Sequence, residues 1–204
     1  MTTIVKDGVI RVPSGLKVKA ASYLSIETLA DSVRGNLPTL RGERYCLDAL
    51  TIFECTFPQL GYHYRTAGID EIDECAAFTI TAPDCNLVVM REDIYDKLHA
   101  GNPFGRSTVI HELSHVAQNH AITLHRGATL TQHAFFEDSE WQAKACTAAL
   151  MMPLAACQVA KSPSDLAAMC GTSVESATYR IKTLVKKLKT LAPNYPLWEF
   201  GYEG

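Results

Sequence analysis

His111 and His115 stand four residues apart with Glu112 beside the first of them, in the order H-E-x-x-H. On an α-helix, residues i and i+4 share one face about one turn apart, so both imidazoles can reach a single cation. Glu112 leans toward the same side but is too offset to be a ligand. It lies instead beside the position where the cation would meet water. Zinc suits such donors, and a zinc ion that does chemistry takes three protein ligands and keeps a fourth position open. An ion held this way polarises a carbonyl and acidifies water, and Glu112 can then act as general base. In a shuffled chain of this composition the pattern would occur on the order of 0.01 times. Val109, Ile110, Leu113, Val116 and Ala117 make the same segment apolar around most of its circumference, so the helix is expected to be buried.

The third ligand must come from elsewhere. Downstream candidates are His120, His125, His133, Glu137, Asp138 and Glu140. A metzincin's third histidine would fall on Ala121, which excludes that class. Five residues turn a helix well past one circle, so His120 is placed on a different face from the pair. Glu140 sits in the first turn of a separate predicted helix, where a rigid carboxylate can be aimed at the ion. The pattern alone leaves Glu137 and His133 open beside it. Donors for a developing oxyanion are equally open among Tyr62, Tyr64, His125 and His133.

The elements that must position these residues read as α+β. Residues 1–22 show no periodicity and are expected to form an irregular arm. Helices are predicted from Ser25 to about Val33 and from Leu47 to Cys55. Residues 62–66 and 77–81 alternate as strands do, and 86–90, apolar on both faces, should be a central or covered strand. A short helix is predicted over 93–99 and the H-E-x-x-H helix over 106–119. A loop follows over 121–136, then a helix capped by Ser139 and stopped by Pro153. Two more are predicted over 164–170 and 174–188. Gly171 would turn between them and Ser173 would cap the second, giving the look of a helix-turn-helix.

Composition limits the function classes. A net charge of -3 gives no global field toward nucleic acid or anionic membrane. The longest apolar run, 145–157, is too short to span a bilayer and contains Pro153, and residues 1–15 lack the apolar core of a secretory signal. Seven cysteines without a C-x-x-C pair read as buried thiols in a reducing cytosol. The expected location is cytoplasmic.

Three stretches together carry a resemblance. His111–His115, then Glu140-Trp141-Gln142-Ala143, then Ala148-Ala149-Leu150-Met151-Met152-Pro153 resemble the ImmA/IrrE (DUF955) group of zinc metallopeptidases. That group shows H-E-L-G-H, E-x-x-A and an aliphatic run ending in L-L-M-P. Arg91–Tyr95 and Gly101-Asn102-Pro103 are also similar, and the likeness covers roughly 45–190. It implies a zincin-like core of small antiparallel sheet plus the H-E-x-x-H helix, a Zn2+ cofactor, and His111, His115 and Glu140 as metal ligands. It also implies Glu112 as the catalytic residue of a metallo-endopeptidase. Its substrate would be a protein, a helix-turn-helix (XRE-type) repressor or another regulator. The chain departs from the pattern at Ser114, where Gly is usual, and at Lys144, where Asn or Asp is usual. Neither change removes a ligand or the base.

The organisation expected is an arm over 1–22, a metallopeptidase domain over 23–156 and a helical segment over 157–204. Lys182, Lys186, Lys187 and Lys189 give the last helix a basic end, which serves solubility and the helix dipole as well as it would DNA. Nucleic acid and membrane are not expected partners. A zinc-dependent regulatory protein with little turnover would use the same ligands and is the alternative function. Replacing one imidazole tests the ligand set common to both. His115→Ala is expected to lose the metal, and a zinc content unchanged by atomic absorption would refute the assignment.

Overall fold

The computed structural model describes residues 4–6, 9–11, 15–120 and 133–191. Strands β1 (Ile4–Lys6) and β2 (Val9–Arg11) open the chain, paired antiparallel with Ile4 opposite Arg11. The stretch expected to be irregular therefore contains a strand pair. Three-residue strands are too short to show a period, but the intervening sequence, Asp7-Gly8, is a dipeptide that two-residue hairpins favour. Helix α1 (Tyr23–Arg34) begins earlier than expected, because Ser22 and not Ser25 is its cap. The Ser22 hydroxyl accepts the Ser25 amide at 3.0 Å.

A helical run then passes through α2 (Ala49–Thr51), a π segment (Ile52–Thr56) and α3 (Phe57–Gln59). It outlasts the end expected at Cys55. Pro58 falls in the first turn of α3, where a missing N–H is tolerated. The sheet comprises β3 (His63–Ala67), β4 (Ala77–Ala82) and β5 (Cys85–Arg91), with a short α4 (Ile69–Ile72) after β3. Its order is β3-β5-β4. β4 and β5 form the antiparallel hairpin, while β3 pairs in parallel with the other edge of β5, Tyr64 opposite Val88. β5 is central, as its two-faced apolar pattern predicts, and its Val88, Val89 and Met90 are fully buried.

Helices α5 (Glu92–His99) and α6 (Pro103–Ala117) pack on this sheet. Asn102 caps α6 by accepting the Phe104 amide at 2.9 Å, and Pro103 takes the first helical position. A 3-10 turn (Phe135–Glu137) leads into α7 (Ser139–Met151). The sequence did not suggest α8 (Leu154–Val159), which starts directly after the proline that stops α7. α9 (Pro163–Cys170) and α10 (Val174–Leu191) complete the helix-turn-helix-like segment. Gly171 takes the left-handed φ of 63° that ends α9. Ser173 caps α10 by accepting the Ser176 amide at 3.1 Å. The α+β architecture is thus the one expected. Among the described residues no helix is long and apolar enough to cross a membrane.

One hydrophobic cluster runs from Ile26 and Ala30 of α1 to Ala177, Ile181 and Leu184 of α10. Within it sits a charge. Arg180, 1% exposed, makes a two-pronged pair with Glu27 of α1, and its Nε donates to the Met152 carbonyl at 3.0 Å. The Tyr23 hydroxyl takes a further N–H at 2.7 Å. Every donor direction of the guanidinium that faces these groups is thereby used, which a buried cation requires. The last helix is therefore fixed both to the first helix and to the turn that closes α7. Removing one partner strands the other, so Arg180→Met should cost about 3–5 kcal/mol in urea unfolding. Glu27→Leu combined with Arg180→Met should recover most of that loss. A single replacement costing less than about 1 kcal/mol would show that the pair does not hold α10 in place.

Candidate metal centre

α6 carries His111 and His115 one turn apart, and their Nε2 atoms lie 3.1 Å from each other. Glu140, in the first turn of α7, closes the triangle. Its Oε1 is 3.1 Å from His115 Nε2 and its Oε2 is 3.3 Å from His111 Nε2. Ligands bound tetrahedrally to zinc at about 2.0–2.1 Å are about 3.3 Å apart, so the three edges fit one ion. These are also the residues that come together as a metal-ligating group among those described. Burial alone would lower the His111 imidazole, but its bond to Glu140 and the charge of Glu112 raise it above the ordinary value. The centre thus attracts positive charge.

Glu140 reaches the pair because α6 and α7 pack closely and because α7 starts where it does. Ser114, fully buried at the crossing, donates to the Ile110 carbonyl at 2.7 Å, and its Oγ lies 3.1 Å from Thr147 Oγ1 of α7. A serine is therefore accommodated between the helices at this crossing. The cap of α7 is Asp138, not Ser139 as expected, and its Oδ1 accepts the Trp141 amide at 2.8 Å. Its Oδ2 meets the Gly15 amide at 2.9 Å and His133 Nε2 at 3.1 Å. Residues 15–21 run along this start as a strap, with Val18 N–H to Glu137 C=O at 2.8 Å and Ser139 N–H to Leu16 C=O at 3.0 Å. Gly15 is pressed so close that a Cβ there would lie 2.6 Å from the Glu140 amide nitrogen.

The remaining candidates have other work. His133 pairs with Asp138. Glu137 accepts the Ala134 amide at 3.0 Å. His125 lies outside the described residues. His120 is not on the helix, because Asn119 turns with a left-handed φ of 53°. The His120 amide then bonds back to the His115 carbonyl at 3.0 Å, and its ring comes to rest behind the His115 ring, with Nδ1 3.0 Å from His115 Nδ1. Helical-face reasoning set His120 aside as a ligand and could not see this second position.

That contact fixes a tautomer. The Gln142 amide nitrogen donates to the Lys19 and Phe136 carbonyls, at 2.8 Å each, so its oxygen must face His120 Nε2, 3.2 Å away. His120 therefore carries its proton on Nε2 and accepts on Nδ1. His115 must then donate from Nδ1, which leaves its Nε2 lone pair aimed at the centre of the triad. Burial above all holds His120 down at about 4, so it is neutral at pH 7.

Glu112 is buried beside the triad, and its Oε2 accepts the Thr79 hydroxyl of β4 at 2.7 Å. Nothing in the sequence tied Thr79 to Glu112; the signal available was a hydroxyl at an alternating strand position. Neither Tyr62 nor Tyr64 reaches the centre. Tyr62 bonds Thr81 at 2.8 Å, and Tyr64 rests on Phe53 with ring centroids 4.9 Å apart. A cleft of about 820 Å3 opens from the triad, with Lys144 and the β4 edge from Ala76 to Phe78 in its lining. Two imidazoles and a carboxylate on helices, with a second carboxylate beside them, make a zinc-dependent hydrolase-type active site.

No family model, curated protein or solved structure matches the chain. What the site does is therefore carried by its own donors. If the His120 ring sets the His115 tautomer, His120→Ala should weaken zinc binding about 10–100-fold in competition with a chromophoric chelator. His120→Asn, whose amide oxygen can accept from His115, should retain more of it. An unchanged affinity for the alanine variant would show that His115 needs no partner.

Proposed function

We propose that the chain is a zinc-dependent metallo-endopeptidase that makes a site-specific cut in a regulatory protein, with a helix-turn-helix (XRE-type) repressor as the substrate. One observation carries the proposal: a buried carboxylate stands beside a three-donor cation site whose cleft has a strand edge in its lining. The stretches His111–His115, Glu140–Ala143 and Ala148–Pro153 resemble the ImmA/IrrE peptidases and favour peptide hydrolysis over other zinc chemistry. All seven cysteines are free thiols, which suits action in a reducing cytoplasm.

His111, His115 and Glu140 would hold the ion and Glu112 would be the general base. When bound, zinc supplies polarisation of a carbonyl and a lowered pKa for water. Thr79 holds one oxygen of Glu112, so the other can be presented to the attacking water. The carboxylate takes the proton, and the resulting acid delivers it to the amine nitrogen as the peptide bond breaks. The substrate would lie extended along Ala76–Thr81, bonding main chain to main chain as an added strand does.

The test is to mix the chain with a repressor encoded beside it and identify fragments by mass spectrometry. The parent should cut one bond. Glu112→Gln should keep its zinc and lose at least about 10²-fold in rate. Cleavage by that variant at the parent rate would refute the general-base assignment.

A further inference from the structure

The cleft is not built by the sheet and the α6–α7 pair alone. Ser173, Glu175, Ser176 and Tyr179, from the start of α10, also line it. In a DNA-reading helix-turn-helix this is the part of the second helix that is turned to base edges. Here the same residues are turned to the cavity that holds the metal donors. We infer that the helix-turn-helix-like segment is the specificity wall of the cleft and selects a peptide with a bulky apolar side chain next to the scissile bond. This rests on the peptidase reading above.

Two observations fix the class of side chain. Tyr179 of α10 and Phe104 of α6 both line the cleft, yet they are 60% and 53% exposed. Aromatic rings left open in a concave site gain most from covering apolar surface. Met151 and Ala148 add further apolar lining. The extended form of the occupant follows from β4, which stands at the edge of the sheet and contributes Ala77 and Phe78 to the same cavity.

The wall is also held in place before anything binds. Tyr179 is followed directly by Arg180, whose bonds to Glu27 and to the Met152 carbonyl lock that turn of α10. The Thr172 hydroxyl meets Met152 Sδ at 3.6 Å, tying the turn before α10 to the end of α7. A wall fixed to the helix that carries Glu140 keeps a constant distance from the metal donors, which selection of a neighbouring side chain requires.

The experiment uses fluorescein-labelled octapeptides of Gly and Ser in which one position in turn is Ala, Leu or Phe. Binding is read by anisotropy on zinc-loaded Glu112→Gln protein, where turnover cannot interfere, and cleavage is read on the parent chain. Leu or Phe at one position should tighten binding about tenfold over Ala. Tyr179→Ala and Ser176→Trp, each added to that background, should cut the preference below about threefold with zinc content and unfolding midpoint unchanged. A preference that survives both changes, or no preference in the parent, overturns the assignment. So does tight, salt-sensitive binding of duplex DNA that Tyr179→Ala abolishes. Preferential binding without any cleavage would remove the peptidase reading and leave the wall standing. Cleavage without the preference would do the reverse, and peptides neither bound nor cut would remove both.

Discussion

The constraint on which the rest depends is that a carboxylate from one helix must come within about 3 Å of two imidazoles on another. Helix axes normally stay 8–10 Å apart, so the approach has to be made by short side chains at the crossing and by a correctly placed helix start. Ser114 and Thr147 supply the first condition. Asp138 and the 15–21 strap supply the second, with Gly15 leaving room where any side chain would strike the Glu140 backbone. Without a cation, two imidazole nitrogens and a carboxylate at these distances leave lone pairs facing one another. The energetic sense of the arrangement is therefore that of a site made for positive charge.

The chemistry of the site was more legible in the sequence than its supports. The i, i+4 spacing of His111 and His115 dictates a shared face whatever surrounds it. The two-faced apolar pattern of 86–90 marked β5 as central for a reason equally local. The supports depend on where chain ends turn, which periodicity does not carry. Asn119, immediately before His120, turns with a left-handed φ of 53°, so a helical wheel misplaces the His120 ring. Asp138 and Ser139 are adjacent capping residues, and only the strap decides between them. β3 alternates as a strand does, but nothing in its residues says that β5 will pair with it in parallel. The β1–β2 pair and α8 are three to six residues long, below the length at which a period shows.

The resemblance and the geometry inform different levels. The sequence resemblance pointed to Glu140 over five other candidates as an expectation. The structure supplies reasons of its own for the same choice, since His133, Glu137 and Asp138 are occupied in building the start of α7, and His120 in orienting His115. Nothing in the sequence around Gln142 signals a task for it. Its amide, held by two backbone carbonyls, is what sets the proton positions along His120 and His115. Gln142, two places from Glu140, thus controls which nitrogen lone pair His115 presents.

The C-terminal helices alter how the site itself is bounded. Their buried residues join the same hydrophobic cluster as α1, and the Arg180–Glu27 pair crosses from one end of the chain to the other. A segment held this way cannot swing toward DNA without uncovering a charge whose stranding is costly. The start of α10 therefore keeps its position over the cleft, and its exposed Tyr179 ring lines the same cavity as the metal donors. The basic residues toward the other end of the same helix lie away from that start. The start of the helix thus turns Tyr179, with Ser173, Glu175 and Ser176, to the cleft, while Lys182 and Lys186 further along are exposed. Both are among the side chains that read as a nucleic-acid signal in the sequence.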